Sequence, residues 1–170
     1  MLTALVILSA LCIAAYKVAV CIACKGIPDS ISETFYKLEH KAWFTITMFA
    51  TAFFLVPAIL EVTPASYQFV AFLACVGLCF VGAAPNFKEG IEKKVHTAGA
   101  IICIVFSQVW VVLTCPWLLF VWLAYIAYTG FSIKKNWKGN FISAFYSTNP
   151  TFWIEITALI STYVTLFLEI

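Results

Sequence analysis

Long apolar stretches alternate with short polar segments along the chain, and the apolar stretches define the fold. A membrane-spanning helix needs about 20 predominantly apolar residues, and six stretches match this length. We predict membrane-spanning helices over residues 2–24, 42–60, 66–84, 95–114, 116–133 and 151–167. The pattern therefore predicts an all-α polytopic integral membrane protein, a six-transmembrane-helix bundle that forms a single membrane domain over residues 1–170.

The segment between the first two spans predicts a short amphipathic interfacial helix. Ser30 and Glu33 have the spacing of a capping box, in which the two side chains bind free backbone N–H groups at the start of a helix. Phe35 and Leu38 follow at helical spacing on the apolar side. We expect residues 30–40 to form a helix along the inner membrane interface, with Phe35 and Leu38 facing lipid or the bundle.

The distribution of lysine predicts the orientation of the bundle. All ten strongly basic residues are lysines, and nine of them lie between spans 1 and 2, spans 3 and 4, and spans 5 and 6. These nine are Lys25, Lys37, Lys41, Lys88, Lys93, Lys94, Lys134, Lys135 and Lys138. Basic residues close to membrane spans remain on the cytoplasmic side. We therefore expect both termini outside and the lysine-rich loops in the cytoplasm, in the inner (cytoplasmic) membrane of a bacterium.

The composition supports a membrane environment and limits the partners. The chain is 64% apolar and 11% charged, whereas a soluble domain is about half apolar and about a quarter charged. The lipid bilayer is therefore the expected partner, and a homo-oligomer would supply surface that so short a chain lacks. The net charge of +2 arises from the loops, so we expect no nucleic-acid partner, whose binders carry a basic patch.

Small residues indicate how the helices pack. All seven cysteines lie within or beside apolar stretches, where they are typical packing residues, and we expect neither a metal nor another cofactor. In the third span, small residues recur every four positions: Ala71, Cys75, Cys79 and Ala83. Such a stripe allows a neighbouring helix to approach closely, because lipid provides no hydrophobic drive for helix association. The third span is therefore predicted to be central.

Two ionisable residues within the spans are candidates for a functional site. Lys17 lies about seven residues, or roughly 10 Å, from the inner end of the first span, and Glu155 lies about four residues, or roughly 6 Å, from that of the sixth. Charges at membrane depth are costly and are functional candidates by default. We expect the first and sixth spans to be neighbours and Lys17 to pair with Glu155. The alternative is that Lys17 extends to the headgroups and Glu155 bonds to a backbone group or hydroxyl.

Gln108 is the third member of this intramembrane polar site. Its amide lies in the middle of the fourth span and has donors and an acceptor that all need partners. We therefore expect Gln108 to face the interior of the bundle. It either joins helices or lines a path, and joining is the simpler interpretation.

Polar residues near the inner surface offer an alternative site. His40, His96, Glu92, Asn86 and Lys88 fall at or near the predicted inner ends of spans. Together they could form an interfacial site for an enzyme that modifies lipid at the inner leaflet. The alternative is that these residues are simply solvated at the level of the lipid headgroups and form no binding or catalytic site.

No phosphate-binding loop, nucleophile elbow or metalloprotease motif occurs in the sequence. The leading expectation is a non-enzymatic membrane protein that binds or passes a small solute, ion or amphiphile through a polar intramembrane pocket open to the cytoplasm. Lys17, Glu155 and Gln108 would form that pocket. The alternatives are the inner-leaflet lipid-modifying enzyme and a structural or regulatory membrane subunit.

Overall fold

The all-α fold is confirmed. The computed structural model describes residues 1–86, 88 and 90–170; it is 80% helical, and no strand occurs in these residues. Its α-helices are α1 (Leu2–Ala23), α2 (Thr34–Lys37), α3 (Ala42–Val62), α4 (Gln68–Ala83), α5 (Gly90–Thr114), α6 (Val121–Lys135), α7 (Phe141–Tyr146) and α8 (Pro150–Glu169). A short 3-10 helix, Pro116–Phe120, leads directly into α6.

Among the described residues, five helical segments are long and apolar enough to cross a membrane: Leu2–Ala23, Ala42–Val62, Gly90–Thr114, Pro116–Lys135 and Pro150–Glu169. The remaining predicted span corresponds to α4, which is apolar but has only 16 residues. At 1.5 Å per residue α4 is about 24 Å long, which is less than the hydrocarbon core of about 30 Å. A multi-pass membrane protein is therefore supported, with five candidate spans.

Five of the long helices form a ring. α1 packs against α3, α3 against α4, α4 against α5, α5 against α8, and α8 closes the ring against α1. α6 lies outside this ring and packs against α8. The predicted proximity of the first and last helices is therefore observed, since α1 and α8 are in contact.

The closest approach in the ring is between α4 and α5. Gly77 and Gly99 face each other there, and a Cβ atom added to Gly77 would lie 2.4 Å from the backbone nitrogen of Cys103 and 2.6 Å from the Gly99 carbonyl oxygen. Only glycine allows backbones to approach to this distance. The small residues of α4 do bring a neighbour close at Gly77. In the predicted stripe, Ala71 and Cys75 are buried and Ala83 is exposed.

The connections after α1, α4 and α6 meet at one end of the bundle. The Asn149 side-chain amide donates to the Ile27 carbonyl oxygen at 3.3 Å, and the Tyr36 hydroxyl donates to Asn86 Oδ1 at 2.9 Å. These three connections and the adjoining ends of α5 and α6 carry the lysines on which the predicted orientation depends. We call this the lysine-bearing end.

The helix predicted over residues 30–40 is not confirmed. Only Thr34–Lys37 is helical, and Leu38 has an extended backbone with φ −87° and ψ 140°. Half of the capping box forms, since the Glu33 backbone N–H donates to Ser30 Oγ at 3.0 Å. Burial and a hydrogen bond to Asp29 raise the pKa of the Glu33 carboxyl group.

The physical reason is that the start of this segment folds into the bundle. Ile31 and Ser32 are each only 7% exposed, and Pro28 is fully buried. The Ile31 backbone N–H binds a side chain of α8, Glu155, and this bond holds the start of the segment inside the bundle. Tertiary contacts therefore override the local helix signal.

Candidate functional site

The ring helices line a partly open cavity of about 100 Å³. Each of the five ring helices contributes to its wall, for example through Ile13, Met48, Cys75, Cys103 and Leu159. A single buried water needs about 10–15 Å³ of cavity volume, so several waters or a small organic molecule fit inside. The cavity is therefore a candidate binding site.

The wall is mostly apolar and has few polar side chains. Those among the lining residues are Ser32, Thr51, Ser107, Glu155, Thr162 and Tyr163. Ile31 and Ser32 lie at the lysine-bearing end of the cavity, and we call these two residues the floor. This composition is typical of sites for small molecules, in which a few polar groups orient an otherwise apolar ligand.

Glu155 provides the carboxylate of this wall. Its Oε2 accepts a hydrogen bond from the Ile31 backbone N–H at 2.7 Å, so the side chain fixes the floor to α8. Within the described part of the chain, the one ion pair within 4.0 Å joins Lys88 to Glu33. The Glu155 carboxylate therefore has a backbone partner and no lysine at ion-pair distance.

Lys17 lies on the other side of the floor. It occupies a narrow crevice with Pro28, Ile31 and Phe152, and Ile31 lines both this crevice and the cavity. Lys17 and Glu155 interact electrostatically across this separation without forming an ion pair within 4.0 Å. Glu155 thus has the backbone partner that the sequence offered as the alternative to pairing.

A chain of hydroxyl groups ties three ring helices together farther along the cavity. The Tyr163 hydroxyl donates to Ser9 Oγ at 2.6 Å, and Ser9 Oγ donates to the Thr51 carbonyl oxygen at 2.8 Å. The Thr51 hydroxyl itself is buried and has no hydrogen-bond partner among the described residues. Sequence reasoning missed Ser9 and Tyr163, although a phenol in the middle of a span needs a polar partner and could have signalled this contact.

Gln108 joins helices and does not line the cavity. Its Oε1 accepts hydrogen bonds from Trp122 Nε1 and Ser161 Oγ, both at 2.9 Å. Its Nε2 donates to the Ala158 carbonyl oxygen at 3.2 Å. The amide therefore has partners at both ends, as its position required, and it attaches α6 to the ring through α5 and α8.

His96 is buried, and the interpretation as a solvated headgroup-level residue is wrong for it. Only 5% of the residue is exposed, and its ring stacks on Phe44 at 6.3 Å between centroids. Nδ1 donates to the Ala84 carbonyl oxygen at 2.9 Å, and Nε2 lies 2.9 Å from Ser32 Oγ. Since a carbonyl can only accept, Nδ1 carries a hydrogen, and a neutral ring accepts from Ser32 through Nε2. His96 thus holds the floor from the side of α5.

The alternative interfacial site is not assembled around the histidines. His40 is exposed, whereas His96 is buried beneath the floor. Asn86 does approach Glu92, because its backbone N–H donates to Glu92 Oε2 at 3.2 Å. No group of three metal-binding side chains occurs in the residues for which the structure gives positions.

Comparisons of this chain with protein-family models, curated proteins and solved structures found no match. The functional assignment therefore depends on the cavity and on the residues around it.

Proposed function

We propose that this protein is an integral membrane protein with six passes that binds a small amphiphile in the central cavity. The observation that carries this proposal is the Glu155 carboxylate on the wall of a mostly apolar cavity inside a ring of helices. An ionisable group at membrane depth is costly, and it is retained where it has a use. An apolar wall with one such group suits a ligand that has an apolar body and a polar head.

The size of the cavity supports a small ligand. Its volume is about 100 Å³, and an apolar cavity of about 150 Å³ in another protein binds benzene. Phospholipids and other large solutes are far too big for this space. A short alkyl chain or a single ring is the appropriate body for the ligand.

The membrane arrangement in this proposal has the lysine-bearing end in the cytoplasm and both termini outside. α4 is the sixth pass. Its 16 residues are flanked by α3 and α5, so neighbouring helices cover much of its surface and the bilayer has to adapt to it only locally.

Ligand exchange takes place at the lysine-bearing end in this proposal. The floor belongs to the connection after α1, whereas the side walls of the cavity are continuous helices. A connection can move with less disruption than a helix, because fewer backbone hydrogen bonds have to break. Moving the floor breaks the hydrogen bonds of Ile31 with Glu155 and of Ser32 with His96.

Binding can be tested by thermal unfolding of the protein in lipid nanodiscs with a series of small alkyl and aryl probes. Ala74 lines the cavity, so Ala74→Leu reduces its volume. Ala83→Leu is the matched control, since it makes the same change on the same helix at an exposed residue outside the cavity wall. We expect probes to raise the melting temperature of the wild type and the control, and not that of Ala74→Leu.

A second measurement uses two native cysteines. Cys75 and Cys103 line the cavity and Cys24 does not, so a bound probe should slow alkylation of the first two relative to Cys24. If no neutral, cationic or anionic probe produces either effect, the proposed function is wrong.

A further inference from the structure

We infer that the ligand of the cavity carries an ammonium head group that binds the Glu155 carboxylate. This inference rests on the proposed function and specifies the chemical class of its ligand. It makes the ligand a small aliphatic or aryl amine in its protonated form.

The Glu155 carboxylate uses only part of its hydrogen-bonding capacity. Oε2 of Glu155 accepts from the Ile31 N–H, and the described residues supply no hydrogen bond to Oε1. An ionised carboxylate offers about four acceptor positions on its two oxygens. Glu155 therefore has acceptor capacity that the described protein groups leave unused.

The negative charge of the Glu155 carboxylate favours a cationic ligand. Buried charges in proteins are usually paired, because an isolated ion in a medium of low dielectric constant is strongly disfavoured. No lysine lies within 4.0 Å of Glu155 in the described part of the chain. Lys17, which the sequence offers as a partner, lies in the crevice beyond Ile31. Lys17 acts on Glu155 through space from that crevice, so a positive charge in direct contact with the carboxylate is best supplied by the ligand.

The cavity wall has too few oxygen ligands for a metal cation to be the preferred ligand. Ca²⁺ takes about six to eight oxygen ligands, and Mg²⁺ takes about six. Among the described residues, Glu155 is the only carboxylate that lines the cavity, and no cluster of metal ligands occurs. An ammonium group needs fewer partners, because it has three donors and one charge.

The apolar part of the cavity beside Glu155 determines which ligand body fits. Tyr163 lies eight residues after Glu155 on α8, so the cavity extends for about 12 Å along this helix. Between these two residues, the wall includes Leu159 and Cys103. A cationic head at Glu155 thus has an apolar chamber beside it, which fits an alkyl or aryl group.

Matched probes of equal chain length can test this inference. Hexylammonium, 1-hexanol and hexanoate differ in charge, and the response of the cavity-filled Ala74→Leu protein corrects for their partition into lipid. We expect hexylammonium to bind the wild type at least about tenfold more tightly than 1-hexanol, since a hydrogen bond to a charged group contributes more than one to a neutral group. Hexanoate should bind most weakly.

Substitutions then locate the charge. Glu155→Gln keeps the size of the side chain and an acceptor for Ile31, and it should remove the preference for hexylammonium over 1-hexanol. Glu169→Gln is the matched control, because it removes one carboxylate from the same helix at an exposed position outside the cavity wall. Its preference should be that of the wild type.

The outcomes separate this inference from the proposed function. Equal binding of hexylammonium and 1-hexanol to the wild type would overturn the ammonium inference and leave the cavity as a site for neutral amphiphiles. A preference that survives in Glu155→Gln would also overturn it. Absence of binding by all three probes would remove the proposed function itself. The comparison of probes needs only the wild type and Ala74→Leu, so the inference stays testable if Glu155→Gln fails to fold.

Discussion

Ile31 donates its backbone N–H to the Glu155 carboxylate at 2.7 Å, across 124 positions of the chain. This hydrogen bond joins the floor of the cavity to its wall. A ligand head that binds Glu155 lies next to the group that holds the floor in place. Binding at the carboxylate and movement of the floor are therefore expected to influence each other.

Loss of the acceptor at position 155 should weaken the fold. In Glu155→Leu the Ile31 N–H stays buried without a partner, which costs about 1–3 kcal/mol. Glu155→Gln retains an acceptor and should cost less. Thermal unfolding in nanodiscs measures both, with the exposed Glu169→Leu as control, expected within about 0.5 kcal/mol of the wild type. Equal stability of Glu155→Leu and Glu169→Leu would contradict the role of this bond.

Lys17 and Glu155 should show only moderate coupling. Breaking a buried ion pair by removal of one partner costs about 3–5 kcal/mol, but these two groups are not at ion-pair distance. In a double-mutant cycle with Lys17→Met and Glu155→Gln, we expect the interaction free energy to be smaller than this. A coupling as large as that of a buried pair would mean that the direct ion pair forms in the membrane.

The contact between α4 and α5 should be intolerant of a single methyl group. Gly77→Ala places a Cβ atom 2.4 Å from the Cys103 backbone nitrogen, so the helices must separate. We expect a loss of about 1–3 kcal/mol, as for other overpacked sites. Gly130→Ala on α6 is the control, because no atom lies within 4 Å of the added group and alanine favours the helix. Unfolding measurements that give both variants the same stability would refute the close approach.

The two histidines should respond very differently to substitution. His96→Ala removes the partners of the Ala84 carbonyl and the Ser32 hydroxyl, both at buried residues, and should cost about 1–3 kcal/mol. His40→Ala changes an exposed side chain and should stay within about 0.5 kcal/mol. Faster alkylation of Cys103 in His96→Ala alone would show that the floor has loosened. Similar behaviour of the two variants in both measurements would argue against a buried role for His96.

The orientation can be tested with reporter fusions. An enzyme that is active only outside the cytoplasm should work when it is fused after Ile170 and should fail when it is fused at Gly90. The reason is that basic residues near spans remain in the cytoplasm. The reverse pattern would invert the proposed topology, and with it the side from which the cavity exchanges its ligand.

Apolar length predicted most of the helices but few of their contacts. α3 starts at Ala42, as predicted, and ends at Val62, two residues beyond the predicted end. A mostly apolar run of about 20 residues is sufficient to predict such a helix. The capping signal at Ser30 was local and only half of it formed, and it could not reveal that Ile31 has a partner 124 residues away. The position of His96 at the predicted inner end of a span suggested a headgroup-level residue, while the face of α5 on which it lies turns inward. These features depend on packing between distant segments, which a single sequence does not encode in any local pattern.

The bond between Ile31 and Glu155 uses the main chain on one side and a side chain on the other. Every amino acid except proline offers the same backbone N–H, so the hydrogen bond itself places almost no restriction on the residue at position 31. Position 155, by contrast, must supply an acceptor of the right length. Substitutions at position 31 can therefore change the shape of the floor and the choice of ligands that fit, while the hydrogen bond that holds the floor to Glu155 remains intact.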